Sequence, residues 1–346
     1  MIRAALEQLA REGVPFATRG EQPLDDPPRG GDIDILVGIG DRAAAAAALG
    51  RAGFHPFAAP GNRRHRFFLA FDAEAGRWLK LDVTLVPRRL RWDLSARDDQ
   101  SLRRYASYRV GLKAKPSRLE RTWIKLARRR PLDVRRRGPV VAVVGPDGAG
   151  KGSVIAALRA ELPVQVTALY FGHGEQSRAQ YGRPARRSPD TPPSLAWRVA
   201  QAVVLRLPTG WADTQRGVRR ALRASVRAWR ASVFAWRGNV VLCDRHALEA
   251  LAITSQRRSP GRAVERWLLR RLVPWPDRLI LLEAPGETLY ARKGEHSPEV
   301  LDGWRLAYRD AQGSRATVID TTQPLERSVA DASALVWQAM AERRGW

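Results

Sequence analysis

The stretch VVAVVGPDGAGKGSV, residues 140–154, constrains the fold more than any other part of the chain. A run of β-branched residues, the composition of a buried strand, ends in a loop of glycines closed by one lysine, and helix formers follow. Gly145, Gly150 and Lys151 fit the spacing G-x-x-x-x-G-K, with Gly148 between them. Glycines at such positions let successive backbone N–H groups curl around a chain of phosphates. The helix N-terminus adds partial positive charge, and a lysine in the place of Lys151 reaches the terminal phosphates. The sequence thus predicts a nucleotide-binding loop formed by Gly145, Gly148, Gly150, Lys151, Gly152 and Ser153. Gly152 stands where a hydroxyl residue is usual, which leaves Ser153 as the candidate hydroxyl ligand of Mg2+.

The chain around this loop alternates short apolar strands with helical stretches. Strands are predicted at 140–144, 164–171, 239–243, 278–283 and 316–320. Helices are predicted at 150–161, 194–206, 213–236, 260–272, 286–293, 298–311 and 324–341. That alternation is the signature of an α/β domain, a doubly wound parallel sheet of about five strands with both faces covered. The first block reads differently, as a smaller α+β domain. Helices at 2–11 and 41–52 accompany strands near 14–19, 32–37, 65–71 and 77–86, which implies a mixed sheet. The join RRRPLDVRRRGP, 128–139, lacks either periodicity and reads as a basic linker. The expected domains are therefore 1–127 and 139–346, with a linker at 128–138.

Two further motifs in the second block carry charge to the ends of elements. NVVLCDRH ends a buried strand in Asp244 and Arg245. An acid at the carboxyl end of a strand beside a phosphate loop suits Mg2+, and the adjacent arginine offers a bidentate fork to a second phosphate. A surface ion pair is the plainer alternative. ARKGEHSPE, 291–299, leaves a helix with Arg292 and Lys293 before a glycine, a pattern that suits a lid over transferring phosphates.

In order and separation, GPDGAGKGS, CDRH and ARKGEHSPE resemble the phosphate loop, Asp-Arg motif and lid of thymidylate kinases, over about 139–342. The resemblance implies an ATP- and Mg2+-dependent nucleoside monophosphate kinase. It would have Lys151 on the transferring phosphoryl group, Arg245 on the acceptor's phosphate and Asp147 facing the acceptor sugar. Arg292 and Lys293 would neutralise developing charge. The family's members often dimerise, so a homodimer is a further expectation. Tyr170, Phe171 and His173 fall where the acceptor pocket begins, but match no thymine-reading pattern.

In the first block, RGGDIDILV places Asp32 and Asp34 two apart on a strand, so period-two geometry puts both on one face. LKLDVTLV supplies Asp82 within another apolar strand. Neighbouring carboxylates repel unless a cation bridges them. The set resembles the nucleotidyltransferase fold, over about 1–92, where three acids hold two metal ions. Glu21 follows Gly20 where that fold usually has serine. An active and a non-catalytic domain remain equally open.

The net charge of +25 comes from 60 basic and 35 acidic residues, but only six of the basic residues are lysine. With abundant alanine, this reads as coding bias rather than a nucleic-acid surface, so no nucleic-acid partner is favoured. The single cysteine, Cys243, excludes an internal disulfide, and the scattered histidines disfavour zinc. No apolar run of transmembrane length occurs, so a cytoplasmic protein is expected. In RRALRASVRAWRASVFAWRG, Val226, Trp229, Val233 and Trp236 recur at helical spacing. A basic helix with tryptophans suits an acidic membrane, but such stripes more often face a core, and a core stripe is expected here.

These readings predict a kinase of nucleoside monophosphates. The alternatives are nucleotidyl transfer through Asp32, Asp34 and Asp82, or a basic nucleotide-responsive binding module.

Overall fold

The computed structural model describes residues 1–18, 22–27, 29–57, 65–86, 137–171, 209–247, 249, 251, 259–312 and 315–346. Gly20, Glu21, His173, most of the expected linker and the expected helix at 194–206 lie outside the described residues. The chain divides into two compact units, one built on Met1–Pro131 and the other on Leu132–Arg159 and Val164–Gly345.

The first unit opens with α1 (Ile2–Arg11), whose Ile2, Ala5, Leu6 and Leu9 recur at helical spacing and are buried. There follow β1 (Phe16–Thr18), β2 (Ile33–Gly38), α2 (Arg42–Arg51), β3 (His55–Phe57), β4 (His65–Asp72) and β5 (Arg77–Val86). The strands form a five-stranded mixed sheet in the order β1-β2-β5-β4-β3. Only β2 and β5 run parallel within it. Ile33, Ile35 and Val37 alternate onto the face that packs with Leu81, Val83, α1 and α2 in one core. By the same alternation Asp34 and Asp82 share the other face, opposite each other in register. The expected strands and helices are all present. Strand β3 was not foreseen: it is three residues long, carries Pro56 and sits at the sheet edge, where a missing N–H is tolerated.

The second unit comprises β6 (Val140–Val144), α3 (Lys151–Glu161), β7 (Val166–Tyr170), α4 (Thr209–Trp236), β8 (Val240–Asp244) and α5 (Pro260–Leu272). It continues with β9 (Arg278–Glu283), α6 (Gly286–Lys293), α7 (Pro298–Gln312), β10 (Ala316–Asp320) and α8 (Leu325–Arg344). Its five strands are all parallel, in the order β10-β9-β6-β8-β7, with the loop-bearing β6 at the centre. Every residue of β6 and β8 is buried, as a strand covered on both faces requires. The chain is thus a mixed α/β protein with one wholly parallel sheet. Ser259 caps α5 by accepting a 3.2 Å bond from the Arg262 N–H, with Pro260 at the first helical position.

Helix α4 corrects the expectation about its tryptophans. Its buried face is a row of small residues, Ala221, Ser225, Ala228, Ala231, Ser232 and Ala235. Val226 and Trp229 face outward, and Val233 and Trp236 are half-buried. The physical reason is close approach. A Cβ on Gly217 would lie 2.0 Å from the Gly261 carbonyl oxygen, and one on Gly261 would lie 2.2 Å from that of Asp213. Where α4 meets α5 at this separation not even a Cβ fits at the two glycines, and the rest of the buried face of α4 carries alanine and serine where an indole would need more room. Among the described residues, no helix is long and apolar enough to cross a membrane.

Candidate phosphate-binding site

The loop after β6 is shaped by its glycines. Gly145 and Gly148 have φ of 147° and 86°, and a Cβ at either would lie 2.4 Å and 2.5 Å from the carbonyl oxygens of Leu282 and Leu289. Only glycine meets both demands, so β9 and α6 press the loop into its curve. Lys151 opens α3 and is buried. Its Nζ donates to the Gly145 and Pro146 carbonyls at 2.8 Å and 2.7 Å, closing across the loop.

Asp147 is the centre of the charge arrangement. Its Oδ1 lies 2.5 Å from Arg245 Nη2, 3.9 Å from Lys151 Nζ and 3.8 Å from Lys293 Nζ. Burial favours the neutral acid, but Arg245, Lys151 and Lys293 outweigh it and hold the carboxyl below its usual range. For Lys151, burial dominates and the neighbouring Arg245 adds to it, bringing the ammonium down to about 8 despite Glu249, Asp147 and Asp244. Three cations therefore converge on one carboxylate at the carboxyl end of a parallel sheet, the end at which α/β proteins bind ligands.

Arg245 follows the last residue of β8, and its N–H donates 2.9 Å to the Val143 carbonyl, tying the turn to β6. Its φ is 64°, the left-handed region. Behind it lies a second carboxylate: Nη1 is 3.4 Å from Glu249 Oε2, and the buried Tyr308 of α7 donates its hydroxyl to Glu249 Oε1. Burial works against the Arg245 charge, yet Glu249 and Asp147 more than restore it, and its pKa is raised. Burial and Glu249 push the Tyr308 hydroxyl up. Glu249 and Tyr308 were not singled out from the sequence, because a pair 59 positions apart leaves no periodic signal.

Other expected residues are placed as follows. Asp244 is buried at the end of β8, and its charge favours the Lys151 ammonium. Ser153 is exposed on the first turn of α3, and Gly152 is half-buried. Lys293 joins the Asp147 group, whereas Arg292 turns to the end of β10, donating 2.6 Å and 3.2 Å bonds to the Thr321 carbonyl and hydroxyl. Tyr170 and Phe171 are buried at the end of β7, with Phe171 tilted against His246 at a ring separation of 5.4 Å. Burial holds the His246 imidazole down to about 4, so it is neutral at pH 7.

Asp147, Glu295 and His296 bring ligand atoms within 4.8 Å of one another, the one such group of three among the described residues. The Lys293 ammonium already lies 2.9 Å from Glu295 and 3.8 Å from Asp147 there. Asp32, Asp34 and Asp82 do not form such a group. Asp82 is engaged by His65 Nδ1 at 2.8 Å, and Asp32 accepts from Lys80 Nζ at 3.0 Å. No protein-family model matches the chain, and no curated protein is significantly similar to it.

Proposed function

We propose that the second unit transfers the γ-phosphoryl group of ATP to a phosphorylated acceptor, of the size and charge of a nucleoside monophosphate. The observation that carries this reading is the convergence of Lys151, Arg245 and Lys293 on Asp147, beside a loop that only glycines can form. An anionic oxygen of the acceptor phosphate attacks the γ-phosphorus, the bond to the β-phosphate oxygen breaks, and ADP leaves. Little covalent work falls to the protein, so positioning and charge stabilisation are the chemistry it has to supply.

The residues fit their parts. The loop N–H groups and Lys151 hold the donor phosphates, and Arg245 presents a planar fork suited to the acceptor phosphate. Lys293 lies on the same carboxylate, at the end of α6 and next to Gly294, whose φ of 69° ends the helix. Mg2+ held by Ser153 and Asp244 would neutralise phosphate charge. Nucleotidyl transfer in the first unit has less support, because His65 and Lys80 already engage two of its three acids.

Product formation from Mg2+-ATP is measured against a panel of nucleoside monophosphates that includes dTMP, with Lys151→Ala as control. One acceptor is expected to be phosphorylated, with turnover about 10²–10³-fold lower in the variant. Silence across the panel from folded protein that binds ATP would exclude a nucleoside monophosphate acceptor. Equal turnover in the variant would exclude the site.

A further inference from the structure

Helix α4 has three sectors. At about 100° per residue, Trp211, Val218, Leu222, Val226 and Trp229 fall along one line. A band that includes Arg216, Arg219, Arg223 and Arg230 lies beside it, and the small buried residues occupy the remainder. The apolar line is not core: Trp211 is 67% exposed, Val226 61% and Trp229 49%. Helix α5 carries an exposed tryptophan of its own, Trp267 at 59%, and Trp229 Nε1 donates 3.0 Å to the Leu272 carbonyl at the end of that helix. Arg270 and Arg271 are exposed on α5.

The charge on this surface has one sign. The only acids in α4 and α5 are Asp213 and Glu265. Asp213 is turned to the Gly261 N–H at 2.7 Å, and the buried Glu265 accepts from Arg220 and Arg262 at 2.9 Å and 3.0 Å. A face that shows apolar and aromatic side chains with arginines, and no exposed carboxylate, needs a partner that is both anionic and able to bury hydrocarbon. The same face of a second copy supplies no anion, since an isologous contact sets like arginines against each other. Nucleic acid supplies phosphates, but nothing for valine and leucine to enter.

We infer that the outward face of α4 is a docking surface for an anionic lipid bilayer. The helix lies in the plane of the headgroups, with Trp211, Val226 and Trp229 in the interface and the arginines on lipid phosphates. The inference does not depend on the proposed phosphoryl transfer.

Co-sedimentation of the full chain with vesicles tests it, using phosphatidylcholine alone and phosphatidylcholine mixed with phosphatidylglycerol. Binding is expected only with the anionic vesicles. It should weaken about tenfold or more in the double variant Trp211→Ala/Val226→Ala and in Arg219→Glu/Arg223→Glu. Circular dichroism and unfolding temperature, unchanged in both variants, separate lost binding from lost fold. Absence of binding to anionic vesicles would overturn the inference, as would equal binding by wild type and both variants. So would light scattering that shows a wild-type dimer split by Trp211→Ala/Val226→Ala, with vesicles left unbound. Binding of a single-stranded polynucleotide that requires Trp211 and Val226, again without vesicle binding, would reassign the surface to nucleic acid.

Discussion

Both units set acids and bases together, one along its strands and the other beyond their ends, but to opposite effect. At the end of the parallel sheet, three cations share Asp147, and a second carboxylate, Glu249, backs Arg245. On the polar face of the mixed sheet, two of the three acids have a base of their own: Asp82 has His65 and Asp32 has Lys80. A carboxylate shared by three cations gathers them at one point, where an anion that took its place would meet all three. Acids engaged by separate bases gather no such cluster, and such pairs hold strands in register. The same residue types thus converge in one sheet and are paired off in the other.

Removing the arginine from the shared arrangement is expected to have the largest effect. Arg245→Ala would strand Asp147 and Glu249 near each other, costing about 3 kcal/mol of stability and most of the turnover. A thermal melt and the acceptor assay read the two losses separately, and an unchanged melt would show that the carboxylates do not need the guanidinium. Tyr308→Phe comes next. It removes the hydroxyl that Glu249 accepts, and a loss of about 1–2 kcal/mol is expected in urea unfolding. The acceptor KM should rise more than kcat falls, because Arg245 loses its support rather than its charge. In the paired sheet, Asp82→Asn should cost about 1 kcal/mol and leave ATP affinity unchanged. A fall in ATP affinity would mean that the contrast between the sheets is drawn wrongly.

The smallest effect is one of pH. The Lys151 ammonium, held down to about 8 by burial, is favoured by bound phosphate, so the complex keeps its proton to higher pH than the free protein does. ATP affinity is expected to be level well below pH 8 and to fall several-fold above it. Calorimetry in buffers of differing ionisation heat should show proton uptake near pH 8; no uptake would remove Lys151 from phosphate contact. Folding alone runs the other way. The unfolded lysine holds its proton up to about 10.5, so this group's contribution to stability rises with pH between the two values.

What could be read from the sequence followed the strength of the local signal. Strands 140–144 and 278–283 have the bounds expected of them, because a buried parallel strand is apolar through its middle and turn residues close it sharply; the edge strand 316–320 also has its expected bounds, though most of it is exposed. The glycine loop between β6 and α3 was legible because its spacing is dictated by backbone geometry. The partners of Arg245 were not, since Glu249 and Tyr308 meet only after α7 has packed. The outward turn of Trp229 was missed for a related reason. Hydropathy ranks indole above alanine for the core, but the approach of Gly217 to Gly261 decides which side chain has room.

The left-handed backbone of Arg245 bears on how this protein tolerates change. A long, Cβ-bearing side chain at φ 64° costs about 1 kcal/mol that glycine or asparagine would largely avoid. That relief is smaller than the loss of about 3 kcal/mol expected from stranding Asp147 and Glu249, so selection for heat resistance holds the arginine as selection for turnover would. A library at this one codon should return arginine under either pressure, and recovery of glycine or asparagine from the heat selection would show that the carboxylates do not need the guanidinium.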